Sequence, residues 1–210
     1  MIELDAEHVR VLGCLLEKER TVPDSYPMTL NGLVTACNQS SNRFPVVAYD
    51  ASTVQRTVDS LKDMGLVRFV HPSHGERTTK YRQVIDERLA LLPTEAAVLS
   101  VLFVRGAQTV NEIRSRTERL HAFDTTDEVV AALEGLAQRD EPLVRAVDRR
   151  SGEREGRWTH VFAQEEAPAA TSASPAPAPR SSLEARVAEL EAKVDALYRI
   201  LGEEPPTSNV

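Results

Sequence analysis

The side chains in this sequence best placed for chemistry are cations and amides, and the chemistry they suit is contact with nucleic acid. Arg68, Arg77, Lys80 and Arg82 lie close together with Glu76 as the one acid among them, a local excess of positive charge of the kind that neutralises phosphates. Just upstream, Ser52, Gln55, Arg56 and Lys62 share one side of a helical pattern. Glutamine suits the edge of adenine and arginine that of guanine, so Gln55 and Arg56 are candidate base readers. Asp59 and Asp63 on the same side would oppose phosphate. The competing reading is a solvated face balanced by pairs such as Arg56 with Asp59. A further polar run, 38–43, is too rich in turn formers to be helical. Its Asn42 and Arg43 either hydrogen-bond phosphates or satisfy the backbone of a long turn, and the sequence leaves both open.

Other chemistries find little support. The chain contains no Gly-rich phosphate loop, nucleophile elbow or zinc-hydrolase motif, so neither an enzyme nor a cofactor is expected. Cys14 and Cys37 lack paired metal-ligand spacing and sit on apolar helical positions, as core cysteines do. His71 and His74 flank a turn without a carboxylate or thiol partner and read as exposed residues rather than ligands.

The elements that would position these residues follow from periodicity. Asp5 is placed as the N-cap of a helix over 6–18, with Val9, Leu12, Leu15 and Leu16 on one face. The prolines of 21–27 end it, and a shorter helix over 28–37 follows, with Leu30, Leu33, Val34 and Cys37 inward. Asp50 caps a third helix in which Val54, Val58 and Leu61 recur at helical spacing, and Gly65 supplies a left-handed end. Strands over 66–71 and 78–84 then flank a turn at 72–75. Helix, glycine cap, strand, charged turn and strand form the order of a winged helix-turn-helix.

The second half repeats the plan. Val11, Leu12 and Leu15 match Val98, Leu99 and Leu102 at an offset of 87, and Thr29 and Asn31 match Thr109 and Asn111 at 80. Leu66, Val67, Arg68, Val70 and the Gly75-Glu76-Arg77 turn recur at 77 as Leu143, Val144, Arg145, Val147 and Gly152-Glu153-Arg154. The falling offset is that of a second copy with shorter loops, joined to the first by 84–92. Its third helix, 126–139, carries Asp127, Glu128 and Glu134 before its one base, Arg139, and so suits partner proteins better than DNA.

The expected fold class is mostly α with small β-hairpins. Tandem winged helix-turn-helix domains at 1–85 and 86–163 precede a Pro/Ala/Ser linker at 164–180, which is expected to be disordered. An amphipathic, coiled-coil-like helix at 181–202 and a tail at 203–210 complete the chain. In that helix Leu183, Val187, Leu190, Val194, Leu197 and Leu201 alternate spacings of four and three, with Ser181 and Glu184 as a capping box. Pairing of two such helices into a homodimer is the leading expectation; docking on the chain's own domain and a free tail are the alternatives.

Composition is that of an ordinary globular protein, 41% hydrophobic and 27% charged. The net charge of -7 excludes coating nucleic acid by bulk electrostatics, but four of the seven excess acids fall after residue 163, leaving the folded part nearly neutral. The acidic N-terminus and the lack of a long apolar run point to a cytoplasmic protein without a membrane partner.

The motifs Leu12-Gly13-Cys14-Leu15-Leu16-Glu17-Lys18-Glu19, Tyr26-Pro27 and Ala36-Cys37-Asn38-Gln39, with Asn42, Arg43 and Pro45, resemble those of the YceH-like family of uncharacterised bacterial proteins. The resemblance covers the two repeated units but not the Pro-rich linker, and it implies tandem winged helices. The expected function is double-stranded DNA binding in transcription regulation, with the first domain contacting DNA. The alternative is a protein-interaction scaffold built from winged helices that do not bind DNA.

Overall fold

Asp5 starts the first helix, α1 (Ala6–Thr21), its carboxylate accepting the His8 N–H at 2.8 Å. Thr21 closes it by donating its hydroxyl to the Glu17 carbonyl. A 3₁₀ turn (Pro23–Ser25) leads to β1 (Met28–Thr29) and α2 (Leu30–Cys37). Here the helix expected from residue 28 starts later, because Met28 and Thr29 pair with Tyr81 and Lys80 as an extra strand. Thr29 still serves the helix as its cap, its Oγ1 accepting the Gly32 N–H. Asp50 caps α3 (Ala51–Asp63), and Gly65 reverses the chain at φ +73°, the left-handed region open to glycine. β2 (Val67–Val70) and β3 (Lys80–Gln83) pair antiparallel, giving a sheet of order β1-β3-β2.

The computed structural model describes residues 2–71, 78–147, 149 and 155–163. The turn 72–77 with Arg77, the linker 164–180, the helix 181–202 with its leucine and valine positions, and the tail 203–210 lie outside the described residues. Among the described residues there are seven α-helices and two small antiparallel sheets, so the chain is mostly helical. No helix among them is long and apolar enough to cross a membrane.

The connector 84–92 holds a further helix, α4 (Ile85–Leu89). Buried Gln83 organises it: its Oε1 accepts the N–H of Ile85 at 2.8 Å while its Nε2 donates to Glu19 at 2.6 Å. Then come α5 (Pro93–Arg105), α6 (Val110–Thr117), α7 (Thr126–Ala137), β4 (Val144–Val147) and β5 (Arg157–His160). Displaced by 77, β2 and β3 fall on β4 and β5. Thr29 and Thr109 share one conformation, φ/ψ of -74/163° and -75/163°, and each caps its helix. The residue before each joins the nearby hairpin, Met28 opposite Tyr81 and Gln108 opposite Trp158.

Both leading helices are buried more completely than an amphipathic stripe requires. Val9 through Leu16 on α1 and Glu95 through Val104 on α5 are buried without a break. A helix enclosed on every side belongs to a core shared by its neighbours, and one apolar cluster runs from Leu4 to Phe162. Gly13 lets α1 and α5 pack tightly: a Cβ there would stand 2.7 Å from Phe103 Cβ. Cys14 and Cys37 are free, buried thiols within this core, and the adjacent Cys14 together with burial holds the Cys37 thiol far above its ordinary pKa.

Candidate nucleic-acid interface

The solvent face of α3 is fixed by the inward row of Val54, Thr57, Val58 and Leu61. That row leaves Ser52, Arg56, Asp59, Lys62 and Asp63 exposed and Gln55 half-buried. Ser52 donates its hydroxyl to the Asp50 carboxylate, so it supports the cap. Gln55 is held from two sides, accepting from Tyr81 Oη at 2.9 Å and donating to Asp59 at 3.1 Å. Asp59 is therefore engaged by Gln55, and Arg56 instead approaches Glu7 at 3.7 Å. The Arg56 side chain is 71% exposed, and at that distance and exposure the pairing leaves it available to another anion. Lys62 places its ammonium 4.9 Å from the Phe69 ring centre, a cation–π contact that ties α3 to the hairpin.

On the hairpin, strand alternation puts Arg68, Val70, Lys80 and Arg82 on one face and Val67, Phe69, Tyr81 and Gln83 on the other. Arg68 lies directly opposite Arg82, an arrangement that needs an anion between the two charges. Glu87 of α4 supplies it, pairing with Arg82 and, at 3.5 Å, with Arg68. Part of the positive excess counted on the strands is thus neutralised from a neighbouring helix. No strand or helix pattern in the first unit points to Glu87, because α4 itself lacks a recognisable start signal.

The loop between α2 and α3 decides the question that the polar run left open. Arg43 is buried, donating to the carbonyls of Ala36 and Asn42 and to Gln39 Oε1, with Glu17 at 2.6 Å. The expectation that Arg43 reaches phosphate is corrected: its guanidinium is fully engaged inside the fold. Asn38 forms a two-way bond with the Tyr49 backbone, donating to its carbonyl at 2.7 Å and accepting its N–H at 2.8 Å. Arg10, also buried, donates to the carbonyls of Cys37 and Pro45. These residues hold the loop that sets the start of α3. Asn42 is exposed in the left-handed region, φ 62°, and accepts from Arg105 of α5.

The second half keeps the frame and changes the surface. α7 exposes Asp127, Glu128 and Glu134. Arg139, beyond the end of α7, donates to the Leu89 carbonyl and pairs at 2.7 Å with buried Glu95, so it is a brace to α5. Arg157 is likewise turned inward, to Glu112 at 2.8 Å. Among the described residues no group of three or more His, Cys, Asp or Glu side chains is placed to hold a metal.

Among the described residues, a mostly helical chain with two small antiparallel sheets and a helix presented beside a hairpin with a basic outer face are consistent with a winged-helix-like class of molecule. Its sequence matches the family described as a protein of unknown function, DUF480, over residues 4–153. It is 42% identical to the UPF0502 protein YceH of Escherichia fergusonii over 96% of this chain and 99% of that protein. It is 44% identical to a UPF0502 protein of Geotalea uraniireducens, over 92% of this chain and 89% of the relative. A Pelobacter propionicus UPF0502 protein shares 45% identity over 76% of this chain and 72% of its own length. The chain belongs to this DUF480 family, the UPF0502 (YceH) proteins.

Proposed function

We propose that the chain is a tandem winged-helix protein of transcription-regulator type that binds double-stranded DNA through its first half, in the cytoplasm and as a homodimer. In this reading α3 enters the major groove, with Arg56 and Gln55 toward the bases, while Lys62 and the hairpin cations Arg68, Lys80 and Arg82 follow the backbone. The observation that carries it is the open Arg56 side chain on the solvent face of α3, beside a hairpin whose outer face is basic. Arg77 extends the same set by its place in the sequence, and pairing through the heptad positions 183–201 supplies the dimer.

A salt titration of binding to random duplex DNA tests the reading, because phosphate contacts make affinity fall as counterions are added. Replacing Arg56 and Lys80 together by Glu should lower affinity by roughly ten- to a hundredfold at low salt. Undetectable binding by the wild type at low salt, or an unaltered double variant, would sink it. Truncation before Leu183, followed by solution mass, tests the dimer: an unchanged mass rejects the pairing helix.

A second reading, a protein-interaction scaffold, draws on the acidic outer face of α7 and on Glu87, which occupies two hairpin arginines. It expects no DNA binding and capture of a protein partner that is lost when Asp127 and Glu128 are changed to Lys.

A further inference from the structure

At the seam where α1 and the α2–α3 loop meet α5 and α6, the fold leaves a cleft of about 380 Å³. Three arginines line it: Arg105 at the end of α5, Arg116 on α6, and Arg119 just beyond. Arg116 and Arg119 are three residues apart at the end of α6, and the fold brings Arg105 of α5 to them. Their partners differ in a telling way. Arg105 donates to Asn42 Oδ1, a neutral acceptor. Arg116 shares the Glu112 carboxylate, at 3.4 Å, with Arg157 and with the Thr109 N–H. Arg119 is exposed and has no ion pair among the described residues.

The acids in the cleft do not balance these charges. Glu17 is turned to Arg43 and Lys18, at 2.6 and 3.0 Å, so its carboxylate is already paired. Glu118 is exposed at the rim and is the other acid lining the cleft. Burial, followed by the charge of Arg116, pulls the Arg105 guanidinium below its ordinary pKa, as expected where cations face one another in a partly dry recess. Hydroxyls of Ser115 and Thr21 and the amide of Asn42 add neutral hydrogen-bonding groups.

We infer that this cleft binds a small polyanion bearing carboxylate or phosphate groups, held by Arg105 and Arg119 with Arg116 behind them. Guanidinium forks match both oxyanions with paired hydrogen bonds, and the cleft has the volume of a metabolite site. An anion here would also draw on Arg105 and so bear on Asn42, next in the chain to Arg43, which anchors the loop leading to α3. The site stands independently of DNA binding.

Titration calorimetry on the full chain, with citrate and with pyrophosphate against sodium chloride at equal ionic strength, reads it out. Binding of either anion beyond the chloride control is expected; citrate alone assigns a carboxylate ligand and pyrophosphate alone a phosphate one. Arg119→Gln, at an exposed position the fold does not use, should weaken that binding at least about tenfold, the loss of one charge-assisted contact. Lys80→Gln should bind as the wild type does. Absence of binding by both anions, an unchanged Arg119→Gln, or a loss in Lys80→Gln in its place would overturn the assignment.

Discussion

Arg43 illustrates how a residue that looks like a surface cation can be a structural one. Its guanidinium meets Glu17 and three other acceptors inside the α2–α3 loop. Replacing it by Met leaves Glu17 with Lys18 as its remaining ion-pair partner and removes the donor to the Ala36 and Asn42 carbonyls, and should cost about 1–3 kcal/mol in urea unfolding. A loss within the range of surface substitutions would show that the loop is not held this way. Glu19 makes a different, pH-dependent claim. Burial raises its pKa, partly offset by the bond from Gln83. A carboxyl with a raised folded pKa contributes stability that is present at low pH and lost as pH rises through that value. Glu19→Gln should therefore gain most on the wild type near neutrality, and the gap between the two denaturation midpoints should shrink on acidification. A gap that is flat or widens on acidification would contradict it.

At the scale of elements, caps and periodicity were legible in the sequence and the partners of those elements were not. Asp5, Asp50 and Gly65 announce their helix ends because capping is local, within a few residues of the chain. Met28 and Thr29 mislead because a strand pairing with residues near 80 overrides a pattern that continues smoothly into α2. α4 carries no local start signal because its orphan N–H groups are met by Gln83, which lies before the conventional cap position. For the candidate interface, Gln55, Arg56 and Lys62 were legible from helical spacing, whereas the neutralising Glu87 depends on where α4 docks. On the proposed DNA-binding reading, Glu87→Gln should release Arg68 and Arg82, raising DNA affinity at low salt and steepening its salt dependence by about 0.9 for each further phosphate neutralised. Weaker binding in that variant would mean that Glu87 positions the hairpin rather than masking it. Between α1 and α5, Gly13→Ala should cost about 1–3 kcal/mol, since the added methyl meets the Phe103 Cβ and backbone and neither can swing away. A neutral Gly13→Ala would show that the two helices part without penalty.

For the whole molecule the decisive feature is the paired burial of α1 and α5. Residues matched at drifting offsets between the two halves were visible in the sequence, but the matching positions Leu12, Leu15, Leu99 and Leu102 gave no sign that the two halves share a core. Each half read alone has three helices and a hairpin, and an apolar stripe looks the same whether it faces its own hairpin or the other half. A fragment spanning 1–91 would uncover the side of α1 that packs on α5. It should bind a hydrophobic dye and unfold without a sharp transition, and mixing it with 92–210 should restore cooperativity. A sharp transition in the isolated fragment would show that the first half stands alone.

The shared core also bears on how far the two halves can drift apart in role. A unit whose leading helix forms one wall of its neighbour's interior cannot be discarded without unfolding that neighbour, whatever its outer face does. α7 carries an acidic outer face where α3 carries a mixed one, and Arg139 braces Glu95, within one continuous core. The shared interior thus holds the second half in place while leaving its outer face free to differ from that of the first.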